Sequence, residues 1–434
     1  MIKENSRGDK IMGVKNEENL VKKYQPLAIA AGLGSVLGSG IIVGMSATIT
    51  VWQTGLGLTN TQVGVISGSL TFAIAIGSLI AGWITRTFGQ VRSFNWADFL
   101  YAIGALICVF APNYTTLLIG GIVTGFASGV DLPISLTMIS HDSPDDKTSS
   151  KLVASTQIFW QIGVFGSYGA AFVVSKMAGA SGARVVFMCL AILALIIWAW
   201  RTFSGKFKEF HKEGEERRLL NEQKNGEQNK VSVGSVLFGE NKVKYLQMFA
   251  CIMAFYICWN LLANTFGQFQ TFMLVHAHAS QTFATGAGLV LNFISLFATM
   301  SFAKVAGGKY RNTFFVFGML IQFVSMFSLA ILSHALWPIV IAIGVMSIGS
   351  NIAGEAIYKV WTQEAFPVEV RSSIQGFIGG FSRFLCGVFA FVTPALVVQS
   401  VIKKTMLGFS IMIIVAFCFG WLMTRLEKKY QIRK

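Results

Sequence analysis

Three charges interrupt an apolar run at residues 353 to 373, "AGEAIYKVWTQEAFPVEVRSS": Glu355, Lys359 and Glu364, just ahead of Pro367. In a continuous helix Glu355 and Lys359 would share one face with Asn351, because residues four apart lie above one another. A carboxylate and an ammonium at that spacing can neutralise each other, and the carboxylate can also bind hydroxyls or carry a proton. Upstream, Asn260, Asn264 and Gln268 recur at every fourth position beside Trp259, with Gln270 further on. Gln157, Trp160, Gln161 and Tyr168 share a broad face of another segment, and Asn292 adds one more amide. Amides supply donors and acceptors while aromatic rings stack on ring faces, which is the mixture a sugar or polyol needs. The competing reading is that such amides glue helices together, and that Trp160 faces lipid.

Two further charges stand alone in apolar surroundings. Asp131 follows the small-residue ridge Gly121, Gly125, Gly129 with no basic residue near it in sequence. It could carry a proton or bond a neighbouring helix; the glycine ridge itself reads as close helix packing. Arg383 lies about 18 Å beyond Arg371 along a helix, so it should face a cavity or a carboxylate, with Asp131 and Glu355 as candidates.

The elements that must hold these residues are membrane spans. Of 434 residues 53% are hydrophobic and 13% charged, with a mean hydropathy of +0.60. A bilayer core needs roughly 20 apolar helical residues per crossing. About twelve such runs occur, near 25–52, 61–84, 94–111, 115–140, 152–176, 184–203, 245–273, 282–303, 312–333, 336–364, 372–399 and 405–425. Continuous runs, as opposed to short alternating ones, exclude a strand barrel. The chain therefore reads as an all-α integral membrane protein with an N-terminal tail (1–24), a six-helix half (25–203), a charged connector (204–244), a second half (245–425) and a C-terminal tail (426–434).

The net charge of +15 is distributed as topology and does not suggest nucleic-acid binding. Basic residues crowd the N-terminus, the loops after spans 2, 4 and 8, the connector and the C-terminus, which places both termini and the connector in the cytoplasm of a plasma-membrane protein. Lys176, Lys403 and Lys404 are the exceptions. The first apolar run is too long for a signal core. All six cysteines fall inside predicted spans without metal spacing, and His276 with His278 forms a lone pair lacking further ligands. No nucleophile, metal cluster or phosphate loop stands out, so no enzyme and no cofactor is expected.

The segment "GSLIAGWITRTFGQVR" resembles the loop motif between helices 2 and 3 of the major facilitator superfamily, and "QEAFPVEVR" resembles the Glu-x-Phe-Pro and Arg signature of its sugar porter branch. With "GFASGVDLPISL" and "WNLLANTFGQFQ", the chain is similar to bacterial sugar and inositol-type porters along its length. The resemblance implies the major facilitator fold, twelve transmembrane helices in two six-helix halves, and transport of a sugar or polyol such as inositol by alternating access. It also makes Glu364 and Arg371 gate residues. Two departures matter: the usual coupling Asp and Arg of helices 1 and 4 would fall at Gly38 and Gly121. Joint loss removes a buried pair without orphaning a charge, leaving either uniport or proton symport through Asp131, Glu355 or Arg383. A monomer is expected, with lipid, a small solute and, for symport, protons as its partners. Lys359 and Arg383 keep an anionic sugar derivative open, and a drug exporter or a non-transporting sensor of the same fold are the remaining alternatives.

Overall fold

A computed structural model describes residues 2–144, 146–225, 233–305, 310–331, 335–398 and 400–432; within these, the side chains of 2–21, 140, 146–147, 149–151, 153–155, 157, 218, 221–225, 303–305, 368–369 and 371–372 are outside the described set. The side chains of Gln157 and Arg371, two of the expected site residues, therefore lie outside it. The first half comprises α1 (Ile2–Leu56), α2 (Asn60–Phe88), α3 (Gln90–Val109), α4 (Tyr114–Asp142), α5 (Asp146–Val173) and α6 (Ser181–Phe203). The connector carries α7 (Gly205–Asn225) and α8 (Val233–Phe238). The second half holds α9 (Lys242–His276), α10 (Gln281–Val305), α11 (Arg311–Ile331), α12 (Leu336–Ile352), α13 (Glu355–Ala365), α14 (Val368–Ala390), α15 (Thr393–Leu396) and α16 (Ile402–Lys429). Among the described residues nine stretches are long and apolar enough to cross a bilayer. With α3, α5 and α14 they make the twelve-span architecture, α12 and α13 together forming the tenth span.

Within each half the helices pack where small residues let backbones meet. A Cβ at Gly129 would stand 2.2 Å from the Ile74 carbonyl oxygen, and one at Gly125 2.8 Å from Leu70. The glycine ridge of α4 is thus the surface on which α2 lies, as its spacing predicts. In the first half α1 packs on α4, α5 and α6, and in the second α9 packs on α10, α14 and α16. The halves meet through α1 with α9, α2 with α14, and α5 with α10.

Three sequence expectations shift. The tenth span is not one helix: it breaks at Ala353 and Gly354, so Glu355 opens a new helix. The eleventh begins at Val368 and stops at Ala390, ahead of the short α15. The last helix runs to Lys429, and Glu427, read as tail, is 3% exposed.

The connector docks on the first half. Phe207 and Phe210 of α7 are buried in one apolar cluster with Tyr24 of α1 and Phe94 of α3. Around this greasy contact α7 is tied by polar bonds. Tyr24 Oη donates to Glu213 at 2.6 Å, Arg217 Nη2 donates to the Asp142 carbonyl at 2.6 Å, and His211 meets the Asp142 carboxylate.

Candidate functional site

A cavity of about 170 Å³ lies between the halves. Val43 of α1, Val164 and Tyr168 of α5, Phe266 and Gln270 of α9, Asn292 of α10 and Asn351 of α12 are among its lining residues. Half of the lining residues are apolar and half carry an amide or a hydroxyl, a more polar wall than that of the usual small-molecule site. Asn292 Nδ2 donates to the Gly288 carbonyl at 2.7 Å, leaving its oxygen for the cavity. Asn351 is held by Thr299, whose hydroxyl donates to its Oδ1 at 2.8 Å. Gln270 is buried, and its amide nitrogen has no acceptor among the described residues. A larger groove of about 320 Å³ between α2, α3 and α4 is lined almost wholly by apolar side chains such as Phe72, Leu100 and Ile122. Leu100 and Ile122 are among the exposed large hydrophobics, so this groove belongs to the lipid-facing surface.

The break in the tenth span lies directly beside the cavity. Ser347, Ser350 and Asn351 at the end of α12 line it, and Gly354 then leaves the helical conformation, with φ −147° and ψ −124°. The Trp259 ring presses on that glycine: a Cβ there would stand 2.3 Å from the indole. Trp259 is 7% exposed and its indole N–H has no acceptor among the described residues. Glu355 now sits in the first turn of an eleven-residue helix, where the helix dipole favours its charge. The expected common face of Asn351, Glu355 and Lys359 is therefore split, Asn351 belonging to the cavity wall. Glu355 and Lys359 remain paired at 2.7 Å, with side chains 46% and 39% exposed. Arg383 of α14 lies near Glu355 together with Tyr256 and Tyr358, whose rings stack at 3.8 Å.

The amide stripe of the seventh span is mostly spent on neighbouring helices. Asn260 donates to the Ser382 hydroxyl of α14 at 2.9 Å, and Gln268 bonds Asn264 at 3.3 Å and Thr71 of α2 across the two halves. The helix-bonding reading thus describes what Asn260 and Gln268 do in this conformation, while Asn264 is bonded within α9 by Gln268, and the cavity takes Gln270, two residues past Gln268, instead. On α5, Gln161 precedes the lining residues Val164 and Tyr168 by three and seven positions. It extends the same face one turn toward the connector. Trp160 is partly buried against Val164 and Tyr168 and does not face lipid alone.

Hydrogen bonds between the halves, among the described residues, gather toward the end far from the connector. Ser46 donates to the Gly267 carbonyl at 2.8 Å, Thr50 to Gln281 at 2.5 Å, Gln281 to the Ala47 carbonyl at 2.7 Å, and Ser175 meets Thr282 at 2.8 Å. With the Gln268–Thr71 bond, these tie the halves from the level of the cavity, where Gly267 lines it, to the end beyond it.

Asp131 has a partner, and it is Arg201, not the Arg383 that the sequence offered as a candidate. Arg201, at the end of α6, is wholly buried; its Nη1 is 2.7 Å from Asp131 and 2.8 Å from Asp98. Its guanidinium also donates to the Phe94 and Ala30 carbonyls at 3.0 and 2.7 Å and lies 3.9 Å from the centre of the Phe94 ring. One cation so ties α1, α3, α4 and α6. A parallel cluster stands in the second half: Arg311, fully buried at the start of α11, is 2.7 Å from Glu364 and 2.6 Å from Glu427. Glu364 thus pairs with Arg311, while the Arg371 side chain is not described. Sequence reading missed Arg201, Arg311 and Glu427 because each sits at the end of a span, where a charge looks like flanking topology.

At the positions of the usual coupling pair, a Cβ on Gly38 would lie 3.3 Å from Leu132 and 3.4 Å from Ser128, and one on Gly121 only near Met45 at 3.8 Å. Both face the packed contact of α1 and α4, and neither position bears a charge.

Two six-helix bundles closing on a partly polar cavity, with a broken helix in its wall, define a membrane transporter built for alternating access. The sequence model of the Major Facilitator Superfamily matches residues 28–391. The chain belongs to that superfamily. It is 26% identical over 404 residues to the minor myo-inositol transporter IolF of Bacillus subtilis (strain 168), spanning 89% of this chain and 86% of that one. It is 22% identical over 430 residues to the inner membrane metabolite transport protein YgcS of Escherichia coli (strain K12), spanning 94% and 93%. Among solved structures it shares the fold of a D-xylose-proton symporter, with TM-score 0.74 at 15% identity over 91% of this chain and 96% of that one.

Proposed function

We propose that this protein moves a sugar or polyol across the plasma membrane by alternating access, as a monomer with both termini and the connector in the cytoplasm. One observation carries the reading: the cavity of about 170 Å³ between the halves, in which Asn292, Asn351, Gln270, Tyr168 and two serines alternate with apolar side chains. That volume is below the roughly 300–1,000 Å³ of drug-sized pockets, which disfavours a drug exporter and suits one small hydroxylated ring. The relatives named for myo-inositol and xylose agree with this class. Gln161, Trp160 and Trp259 would complete the walls when the halves rock, and Asn260 and Gln268, with Asn264 bonded to Gln268, would rearrange as the α14 and α2 contacts of the first two break. Glu364, with its partner Arg311, is assigned to the gate at the connector end.

With Gly38 and Gly121 uncharged, coupling to protons would fall to another carboxylate. Asp131 is enclosed with Arg201 and Asp98 away from the cavity, so Glu355, half-exposed beside Lys359 and Arg383, is the better candidate. Uptake of labelled myo-inositol and hexoses into proteoliposomes, with and without an imposed proton gradient, tests the reading. Gradient-driven accumulation that Glu355→Gln abolishes while exchange persists supports symport. Equal uptake after collapse of the gradient supports uniport, and no movement of any sugar or polyol overturns the class.

A further inference from the structure

Arg383 lies fifteen residues into α14, about 22 Å along the helix, within a membrane-spanning bundle. A guanidinium offers five donors in a planar fork. Among the described residues Arg201 and Arg311 each spend that fork on two carboxylates, but none of the described hydrogen bonds or ion pairs involves Arg383. Asn260 of α9 donates to the adjacent Ser382 at 2.9 Å, and a Cβ on Gly379, one turn before Arg383, would stand 3.5 Å from the Tyr358 Oη, so Arg383 stands where α9, α13 and α14 meet. Glu355 from α13, Tyr256 from α9, Tyr358 and Cys386 are described titratable groups within reach of its charge. Glu355 is the one carboxylate in that set, and its direct ion pair is with Lys359 at 2.7 Å. Tyr358 is likewise engaged, its hydroxyl donating to the Gln375 carbonyl at 3.0 Å. The local charge is therefore one carboxylate against two cations, with the planar one left over. An intramembrane arginine is retained only where it meets a counter-charge or lines a watery path.

We infer that Arg383 is the anchor of a second subsite, adjoining the cavity at the broken tenth span, for a carboxylate carried by the transported polyol. This inference rests on the transport reading above and narrows its substrate class to sugar acids. A carboxylate matches the guanidinium fork with two parallel hydrogen bonds, whereas a neutral hydroxyl uses at most one arm. One anionic charge also restores neutrality to the Glu355, Lys359 and Arg383 group. The hydroxyls of the same solute would remain for Gln270, Asn292 and Asn351.

The test uses the purified full chain in proteoliposomes, loaded with unlabelled solute and exchanged against labelled glucuronate or galacturonate. Both uronates should exchange, and unlabelled glucuronate should compete at a concentration at least about tenfold lower than glucose, the gain of one charge-assisted pair. In Arg383→Gln the ratio of the two inhibitory concentrations should fall toward one, and in Arg383→Lys, which keeps the charge but loses the fork, it should lie between. Arg383→Lys also serves if the glutamine variant fails to fold. Exchange of glucose or myo-inositol that uronates inhibit no better than glucose does would overturn the subsite while leaving the transport reading intact. A wild-type preference for uronates that survives both substitutions would remove Arg383 from it. Absence of exchange by every neutral and acidic sugar would sink both readings together.

Discussion

The two halves carry the same device in different surroundings. In the first, Arg201 of the sixth span holds carboxylates of the third and fourth; in the second, Arg311 of the ninth holds carboxylates of the tenth and twelfth. Each is one guanidinium between two acids on the third, fourth and sixth helices of its half, with the cation moved from one helix to another. The first cluster is dry: the carboxylate side chains of Asp98 and Asp131 are 1% and 5% exposed. The second is wet at one edge, Glu364 being 32% exposed. A dry cluster cannot be remade without large desolvation costs, whereas a wet edge lets a pair open and close cheaply. The comparison teaches that the charge cluster of the first half is sealed from water, while the second half, with its broken helix and accessible acid, has an ion pair that water reaches.

The largest break should come from Arg201→Leu, which leaves two enclosed carboxylates without a cation. A loss of about 3–5 kcal/mol is expected, read as a sharply lowered melting temperature in detergent. Arg201→Lys should recover only part, because an ammonium cannot fork to both acids and the Ala30 carbonyl. Arg311→Gln should cost less, about 2–3 kcal/mol, since Glu364 can turn to solvent, and it should alter transport rate more than melting. An Arg311→Gln loss equal to that of Arg201→Leu would mean that the wet edge confers no freedom. Gly354→Ala forces a methyl against Trp259 and the Ser350 carbonyl; a cost of about 1–2 kcal/mol is expected, with solute affinity shifting because the cavity wall is displaced.

The smallest effect concerns the connector. A hydrogen bond to Asp142 raises the His141 pKa above its ordinary 6.5, burial opposes this, and Glu215 adds to it. Asp142 is on α4 beside His141, so only the part of the rise due to Glu215 of α7 is linked to docking, and through that pair protonated His141 favours the docked α7. That contribution is present at low pH and is lost as pH rises through the docked value. Asp142 is lowered: its burial pushes the other way, but His141 and His211 outweigh it, so it stays ionised in this window. Protection of the amides of residues 205–217, corrected for the base-catalysed intrinsic exchange rate at each pH, should therefore fall between about pH 6 and about pH 8, and His141→Gln should flatten that change. Equal protection at both pH values would show that His141 does not hold the connector and would leave that to contacts such as Phe207 and Phe210.

Much of the site was legible, but unevenly. Asn351 is read from its four-residue spacing to Glu355 and Lys359, and Asn292 as one more amide in an apolar helix; both line the cavity. Asn260 and Gln268 carried the same signal and bond other helices instead, because a periodic stripe gives a face but not the neighbour it meets. Gln270, two residues off that stripe, turns into the cavity. Arg201 was overlooked because a lone basic residue at a span's end has the same sequence appearance whether it meets headgroups or two buried acids.

Hydropathy, span length and the alternation of basic loops were enough to determine a twelve-helix membrane protein in two halves, because a bilayer admits few ways to satisfy a backbone. The absence of charge at Gly38 and Gly121, and the pairing of Glu355 with Lys359 four residues on, were likewise local facts. The tertiary structure alone decided which acid each buried arginine holds, where the tenth span breaks, and which amides reach the cavity. These depend on contacts between residues as far apart as Asp131 and Arg201, or Arg311 and Glu427, whose approach is set by how the helices pack and leaves no trace in the spacing along the chain.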